Sequence, residues 1–247
     1  MDTSQKKYSN EWNESSNFFY ENNSYSWMAN QIKEYNIILE IGCGTGQSTL
    51  SLLESGHKVI AIEKNIFCID KAKLLLESKG YKVGSLKDRL ENYDVIILNK
   101  ELFDTSLSSY LKESSFDAVI CWNVGTYWDD EMVQYYRPIM YDYGLSVEQI
   151  ASNMKCYYGE IIISMACKIA YYKKVPVNII DRIDQKLTEE NDTYFVTIKK
   201  EFDFSNIKYE NIRTQTLSTG GKALEVKGNV FEDELIEVYL TSILMNY

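Results

Sequence analysis

Four residues within seven positions hold the densest chemistry of the chain: Glu40, Gly42, Gly44 and Gly46, in the run IILEIGCGTG. Glycine lets the chain turn sharply at Gly42, lets the backbone approach a ligand at Gly44, and spares crowding at Gly46, where the next helix starts. The charge of Glu40, just ahead of the turn, suits a ligand carrying positive charge. A dinucleotide turn requires GxGxxG, and Gln47 stands where its third glycine belongs. A phosphate loop, GxxxxGK followed by Ser or Thr, is absent. Glu63 lies 21 residues after Gly42 at the end of a second apolar run, where a doubly wound sheet presents an acid to ribose hydroxyls. The pattern therefore asks for a ribose and a cation without a pyrophosphate.

This combination resembles the class I S-adenosylmethionine-dependent methyltransferases, whose cofactor has an adenosine ribose, a sulfonium and an amino-acid tail but no phosphate. The resemblance covers residues 35–125. It implies that Glu40, Gly42, Cys43, Gly44, Thr45 and Gly46 form the first cofactor-binding segment and that Glu63, with Lys64 beside it, meets the ribose. Glu101 and Leu102 correspond to the adenine contacts. Asn123 and Val124, closing the stretch 117–124, approach the cofactor and the reacting group. S-adenosylmethionine is then the cofactor and S-adenosylhomocysteine the product. A noncatalytic relative that binds the same nucleoside is the alternative to an enzyme.

The elements that must position these residues alternate. Apolar runs at 37–41, 59–63, 95–98 and 118–121 read as buried strands, and the periodicity predicts helices over 45–54 and 65–78. The stretch 81–93 is an inserted turn or short helix. Strand and helix in alternation predict an α/β fold, a doubly wound, Rossmann-like methyltransferase sheet with an N-terminal helical lid and helical insertions. Residues 129–172 read as mostly helical, with a break near 143–144 and a cap at Ser146, since Gln149 follows three residues later. A fifth strand is expected at 177–180, further strands at 194–198 and 207–216, and either strand or helix at 235–244. Residues 1–24 are polar yet carry Tyr8, Trp12, Phe18, Phe19 and Tyr20, which predicts a short docked helix or a lid, followed by a helix over 25–35. The division expected is a lid or cap at 1–34 and a methyltransferase domain at 35–247, with substrate-binding elements after residue 125.

Substrate groups must come from loops above the carboxyl ends of the strands. The stretch NVGTYWDD begins where the fourth strand ends, and its Tyr127, Asp129 and Asp130 are the catalytic candidates. Trp128 joins them as a substrate contact. Aromatic faces and carboxylates hold a protonated amine, and an acid then accepts its proton; the alternative is that Trp128 packs a helix and Asp129 caps it. Tyr20, Tyr25 and Trp27 are expected on the lid, and Tyr135, Tyr136 and Arg137 on the opposite wall. The single histidine, His57, excludes a multi-histidine metal cluster, and no metal is expected.

The formal charge of −10 repels phosphate backbones and anionic bilayers. Nor does the chain carry, near the fourth strand, the Asn or Asp followed by two prolines and an aromatic that members of the resembled family use on amino bases, or the Pro-Cys pair of cytosine-carbon methylation. Nucleic acid and membrane are thus set aside as partners. A small molecule or natural-product peptide, methylated on an amine nitrogen, leads, and O-methylation follows closely. Five cysteines without a CxxC pair, and an N-terminus lacking an apolar signal, predict free thiols and a cytoplasmic location. Oligomeric state is not legible.

Overall fold

The computed structural model describes residues 3–124, 130–218, 224–226, 229–231 and 234–247. Its organising strand is β1 (Ile37–Ile41), whose side chains alternate between two cores. Leu39 and Ile41 enter one hydrophobic cluster and Ile38 the other, as expected of a strand covered on both faces. Parallel to it run β2 (Lys58–Glu63), the two-residue β3 (Val83–Gly84), β4 (Val95–Asn99), β5 (Ala118–Trp122) and β6 (Val177–Ile183). The long strands β7 (Asn206–Leu217) and β10 (Leu235–Asn246) pair antiparallel to each other, and β10 pairs antiparallel to β6. The order is β3-β4-β2-β1-β5-β6-β10-β7, while β8 (Leu224–Val226) and β9 (Asn229–Phe231) form a separate hairpin.

Helices cover both faces. Behind Ile38 lie α1 (Thr3–Glu21), α2 (Ser24–Asn30), α3 (Gln47–Glu54) and α4 (Ile66–Ser78), through residues such as Phe19, Met28, Leu50 and Ile69. Behind Leu39 lie α5 (Thr105–Glu113), α6 (Asp130–Asp142), α7 (Val147–Lys173) and α8 (Thr193–Glu201). Asn65 caps α4 by accepting from Phe67 N, and the Ser146–Gln149 capping box starts α7 as its spacing predicts. A buried relay joins the middle of the sheet: Trp122 Nε1 donates to Asn178 Oδ1 at 2.7 Å, and Asn178 Nδ2 donates to Ser242 Oγ at 2.7 Å.

The structure differs from the sequence reading in four places. Residues 194–198 are helical: Asp192 caps α8 through Phe195 N, and Phe195 and Ile198 bury one face, so helical spacing and a cap override the β-branched composition. Residues 105–113, to which no element was assigned, form α5 under the Asp104 cap. The ambiguous 81–93 stretch contributes β3 and a 3-10 turn at Leu90–Asn92. The N-terminal segment is one helix of 19 residues, followed by the shorter α2 rather than a helix to residue 35.

Helix α1 is fastened across the Gly-rich turn. Gln47 Nε2 donates to Asn13 Oδ1 (3.1 Å) and Asn17 Oδ1 (2.7 Å), and Asn65 Nδ2 donates to the Gln5 carbonyl (3.0 Å). Farther along, Ser15 Oγ donates to the carbonyl of Leu217 at 3.2 Å.

Candidate active site

The sheet order changes direction between β1 and β5, and a cleft opens there at the carboxyl ends of the strands, the place where open α/β sheets bind ligands. Gly42 and Gly44 form its floor, Glu63, Glu101 and Leu102 one side, Asn123 and Val124 the other, and Tyr8, Trp12 and Tyr158 its cover.

The glycines are required by two different approaches. Gly44 has φ +53°, and a Cβ there would lie 2.2 Å from Trp12 Nε1, so the α1 indole rests on the turn. Gly46 has φ +95°, and its Cβ would lie 2.8 Å from Cα of Ala72, which lets α4 pass close by. The turn then fixes an acid: Gly44 N donates to Glu63 Oε2 at 3.0 Å, while Lys64 N and Asn65 N donate to Oε1 at 2.9 and 2.8 Å. Burial pushes the Glu63 carboxyl up, and the backbone donors and the Lys64 charge oppose it.

Glu40 is placed differently from its expected role beside a cationic ligand. It shares the strand face of Ile38, away from the cleft, and its carboxylate accepts from Ser48 Oγ at 2.5 Å and Thr49 Oγ1 at 2.6 Å. It ties β1 to the first turn of α3. Burial raises its carboxyl to about 7, against the two hydroxyl bonds. Cys43 and Thr45 are likewise buried behind the turn, Thr45 Oγ1 donating to Gln47 Oε1 at 2.7 Å.

On the side of the cleft beneath α6 and α7, Lys64 Nζ lies 3.8 Å from Glu101 Oε2 and sits over the rings of Tyr136 (5.3 Å) and Tyr158 (4.8 Å). The Tyr136 hydroxyl donates to Glu101 Oε1. Burial raises the Glu101 carboxyl, opposed by Lys64. Of the wall candidates, Tyr136 thus turns inward, whereas Tyr135 and Arg137 are exposed; one residue along a helix is a rotation of about 100°.

The lid candidates also fall elsewhere. Tyr25 is buried against Phe19 with its hydroxyl on Ser16 Oγ, Tyr20 bonds Glu54, and Trp27 packs on the same cluster behind the sheet. The aromatics of α1 that reach the cleft are Tyr8 and Trp12, whose rings stack at 6.5 Å. Their four-residue spacing places them on one face of a helix, a signal the sequence held. Tyr158 of α7 and Lys100 are further lining residues that sequence reasoning missed. Tyr127, Trp128 and Asp129 lie outside the described residues; Asp130 begins α6.

The residues present fit the nucleoside the sequence asks for. A fixed carboxylate ends β2 and an acid with an apolar neighbour follows β4, while Asn123 Oδ1 and Nδ2 are buried with no hydrogen-bond partner among the described residues. Sheet order and cleft together define a nucleoside-binding domain of the doubly wound α/β class. Residues 38–140 match the methyltransferase domain family, and the sheet they belong to has the Rossmann-like α/β fold of the class I S-adenosylmethionine-dependent methyltransferases.

Among solved structures, the chain is similar to a putative RNA methyltransferase from Pyrococcus horikoshii, at 12% identity over 90% of this chain and 81% of that one, with a TM-score of 0.50. It is also similar to TehB from Haemophilus influenzae, at 12% identity over 90% of this chain and 60% of that one, with a TM-score of 0.48. The methyltransferase domain of bacterial CtHen1-C stands at 11% identity, 92% and 98% coverage and a TM-score of 0.48. At such identities the likeness is one of fold. A comparison with curated proteins gives no match.

Proposed function

We propose that the chain transfers a methyl group from S-adenosylmethionine to an amine nitrogen of a small molecule or natural-product peptide. The observation that carries the amine reading is the character of the cleft: Tyr8, Trp12 and Tyr158 line it together with Glu63 and Glu101, and the Tyr136 hydroxyl bonds Glu101. Tyr136 and Tyr158 already hold one ammonium, that of Lys64, and aromatic faces with nearby carboxylates favour cations. A net charge of −10 adds a field that attracts a cationic acceptor and disfavours a nucleic-acid backbone.

When bound, the cofactor supplies a methyl whose bonding pair stays on sulfur, while the acceptor's lone pair forms the new bond and the acceptor sheds one proton. The chain's own part is positioning. Glu63 and Gly44 hold the ribose end, Leu102 and Glu101 the adenine end, and α1 excludes water above the turn. Five free cysteines accord with action in a reducing compartment, the cytoplasm.

Calorimetry with S-adenosylmethionine, S-adenosylhomocysteine and NAD is the first test, with tight binding of the first two expected. Mass spectrometry over a panel of amines, phenols and carboxylic acids then reads the acceptor. Methylation of phenols or carboxylates alone would overturn the amine reading.

A further inference from the structure

Glu63 ends β2 and Glu101 follows β4, its neighbour in the sheet, yet the two acids are held by different kinds of partner. Backbone N–H groups of Gly44, Lys64 and Asn65 engage Glu63, and they cannot withdraw without unmaking the turn. Glu101, beside a bond from the adjacent Leu102 backbone, is engaged by two side chains. The Tyr136 hydroxyl donates to Oε1, and Lys64 Nζ stands 3.8 Å from Oε2. Partners of this kind withdraw when the element carrying them moves.

That element is α6. Met132 and Tyr136 are both buried, and a spacing of four residues puts them on one face of the helix. Met132 Sδ lies 3.2 Å from Lys64 Nζ, so α6 meets the ammonium through one residue and the carboxylate through the other. The Tyr136 ring stands edge-on to Tyr158 of α7, with centroids 4.7 Å apart, and to Phe103 at 5.8 Å. Hemmed in by these rings, the phenol cannot swing aside while the helix stays in place. Pro138 follows two residues later, inside the helix. It has no N–H, so the rung to the carbonyl of Gln134 is missing, and that gap spans Tyr136. A helix short of a rung bends there at lower cost.

We propose that α6 is an autoinhibitory latch on the adenine end of the cleft: in the free protein the Tyr136 hydroxyl occupies the Glu101 carboxylate, and α6 must carry it away before that carboxylate can receive a nucleoside. The latch rests on the assignment of Glu101 to the nucleoside made under the proposed function. Lys64 has a separate duty. Burial raises the Glu101 carboxyl and the Lys64 charge opposes it, so the ammonium favours the charged, accepting form of the acid with Tyr136 in place or withdrawn. Lys64 keeps Glu101 ionised, and Tyr136 keeps it occupied. Since only the unlatched fraction of the protein is competent to bind, the contact lowers the apparent affinity by that fraction.

The test is calorimetry of S-adenosylhomocysteine on the full chain, on Tyr136→Phe and on Tyr135→Phe. Tyr136→Phe keeps the ring that packs on Tyr158 and Phe103 and removes only the hydroxyl, so its affinity should rise roughly threefold to tenfold. Tyr135→Phe alters the exposed neighbour and should leave the affinity unchanged. Equal or weaker binding by Tyr136→Phe, beside a parent that binds, overturns the latch and leaves the cofactor reading standing. An equal gain in Tyr135→Phe also overturns it, since any loosening of α6 would then serve. No binding by the parent or by either variant sinks the latch and the cofactor reading together, whereas binding by Tyr136→Phe alone is the limiting form of the expected result. Hydrogen exchange on the unaltered chain gives a readout free of substitutions. Amides of residues 132–142 should exchange roughly tenfold faster once the protein is saturated with S-adenosylhomocysteine; unchanged or added protection there would show α6 staying shut on the ligand and overturn the proposal.

Discussion

At the floor of the cleft both oxygens of Glu63 are met by backbone N–H groups, whereas at the end of β5 the amide of Asn123 meets no partner among the described residues. Glu63 is half-buried and Asn123 buried, and both stand at the end of a strand of the same sheet. What differs is where their partners come from. The floor is completed by residues 44 to 65, within a single strand-helix-strand unit, and is finished before any ligand arrives. At the wall, the described residues leave the Asn123 amide without a partner. Preorganisation on one side and unmet polarity on the other is the division expected between a site that holds a constant cofactor and one that selects a reactant.

The strongest way to break the floor is Gly46→Ala. Its Cβ would meet Cα of Ala72 at 2.8 Å on a backbone with φ +95°, and strain and overpacking add to about 2–4 kcal/mol. Chemical denaturation should show that loss. A variant within ~0.5 kcal/mol of the parent would mean that α3 and α4 separate freely and the floor is not fixed. Next in size is Glu63→Gln, which sets an amide N–H against backbone donors; cofactor affinity should fall tenfold to a hundredfold, about 1–3 kcal/mol. Unchanged calorimetry would remove Glu63 from the site.

Glu40 sharpens the comparison through pH. Its carboxyl is raised from 4.5 to about 7 in the fold, so the folded chain holds a proton that the unfolded chain releases. The contribution of this group is full below about 4.5 and is lost as pH rises through about 7. Stability should therefore drop by on the order of 2 kcal/mol between pH 5 and pH 8 on account of Glu40. Glu40→Gln should flatten that part of the profile, and an identical profile in the variant would refute the assignment. The smallest effect belongs to Trp12→Phe, which trims the ring resting on Gly44. A change in cofactor affinity of about threefold or less is expected, with a faster association rate in stopped-flow fluorescence, and an unaltered rate would free α1 of any part in entry.

Much of the floor could be read in the sequence because it is local. Buried strand, turn, helix and strand follow one another between residues 37 and 63, and each has its own short-range signal. The Ser146–Gln149 box was legible for the same reason. The direction of Glu40 was misjudged although its parity with Ile38 was visible, because an acid beside a glycine turn suggests a ligand more readily than two hydroxyls one helical turn away. The wall was harder. Whether Tyr135 or Tyr136 faces inward depends on the rotation of α6 against α7, and the pairing of Trp122 with Ile180, next to Asn123, depends on the register of two strands more than fifty residues apart. The N-terminal segment was expected as a short docked helix or a lid, but which rings α1 turns to the cleft depends on its anchors at Gln47 and Asn65.

The bond from Ser15 to Leu217 spans 202 positions. A ribosome releases Ser15 202 positions before Leu217, so the helix over the Gly-rich turn waits through the synthesis of everything between them for one of its anchors. Contacts of such separation form late and slowly. The nascent chain should therefore pass through a stage in which the cofactor turn is already folded and still uncovered, and a cofactor bound at that stage would be enclosed by the completion of folding instead of by an opening and closing of the finished protein.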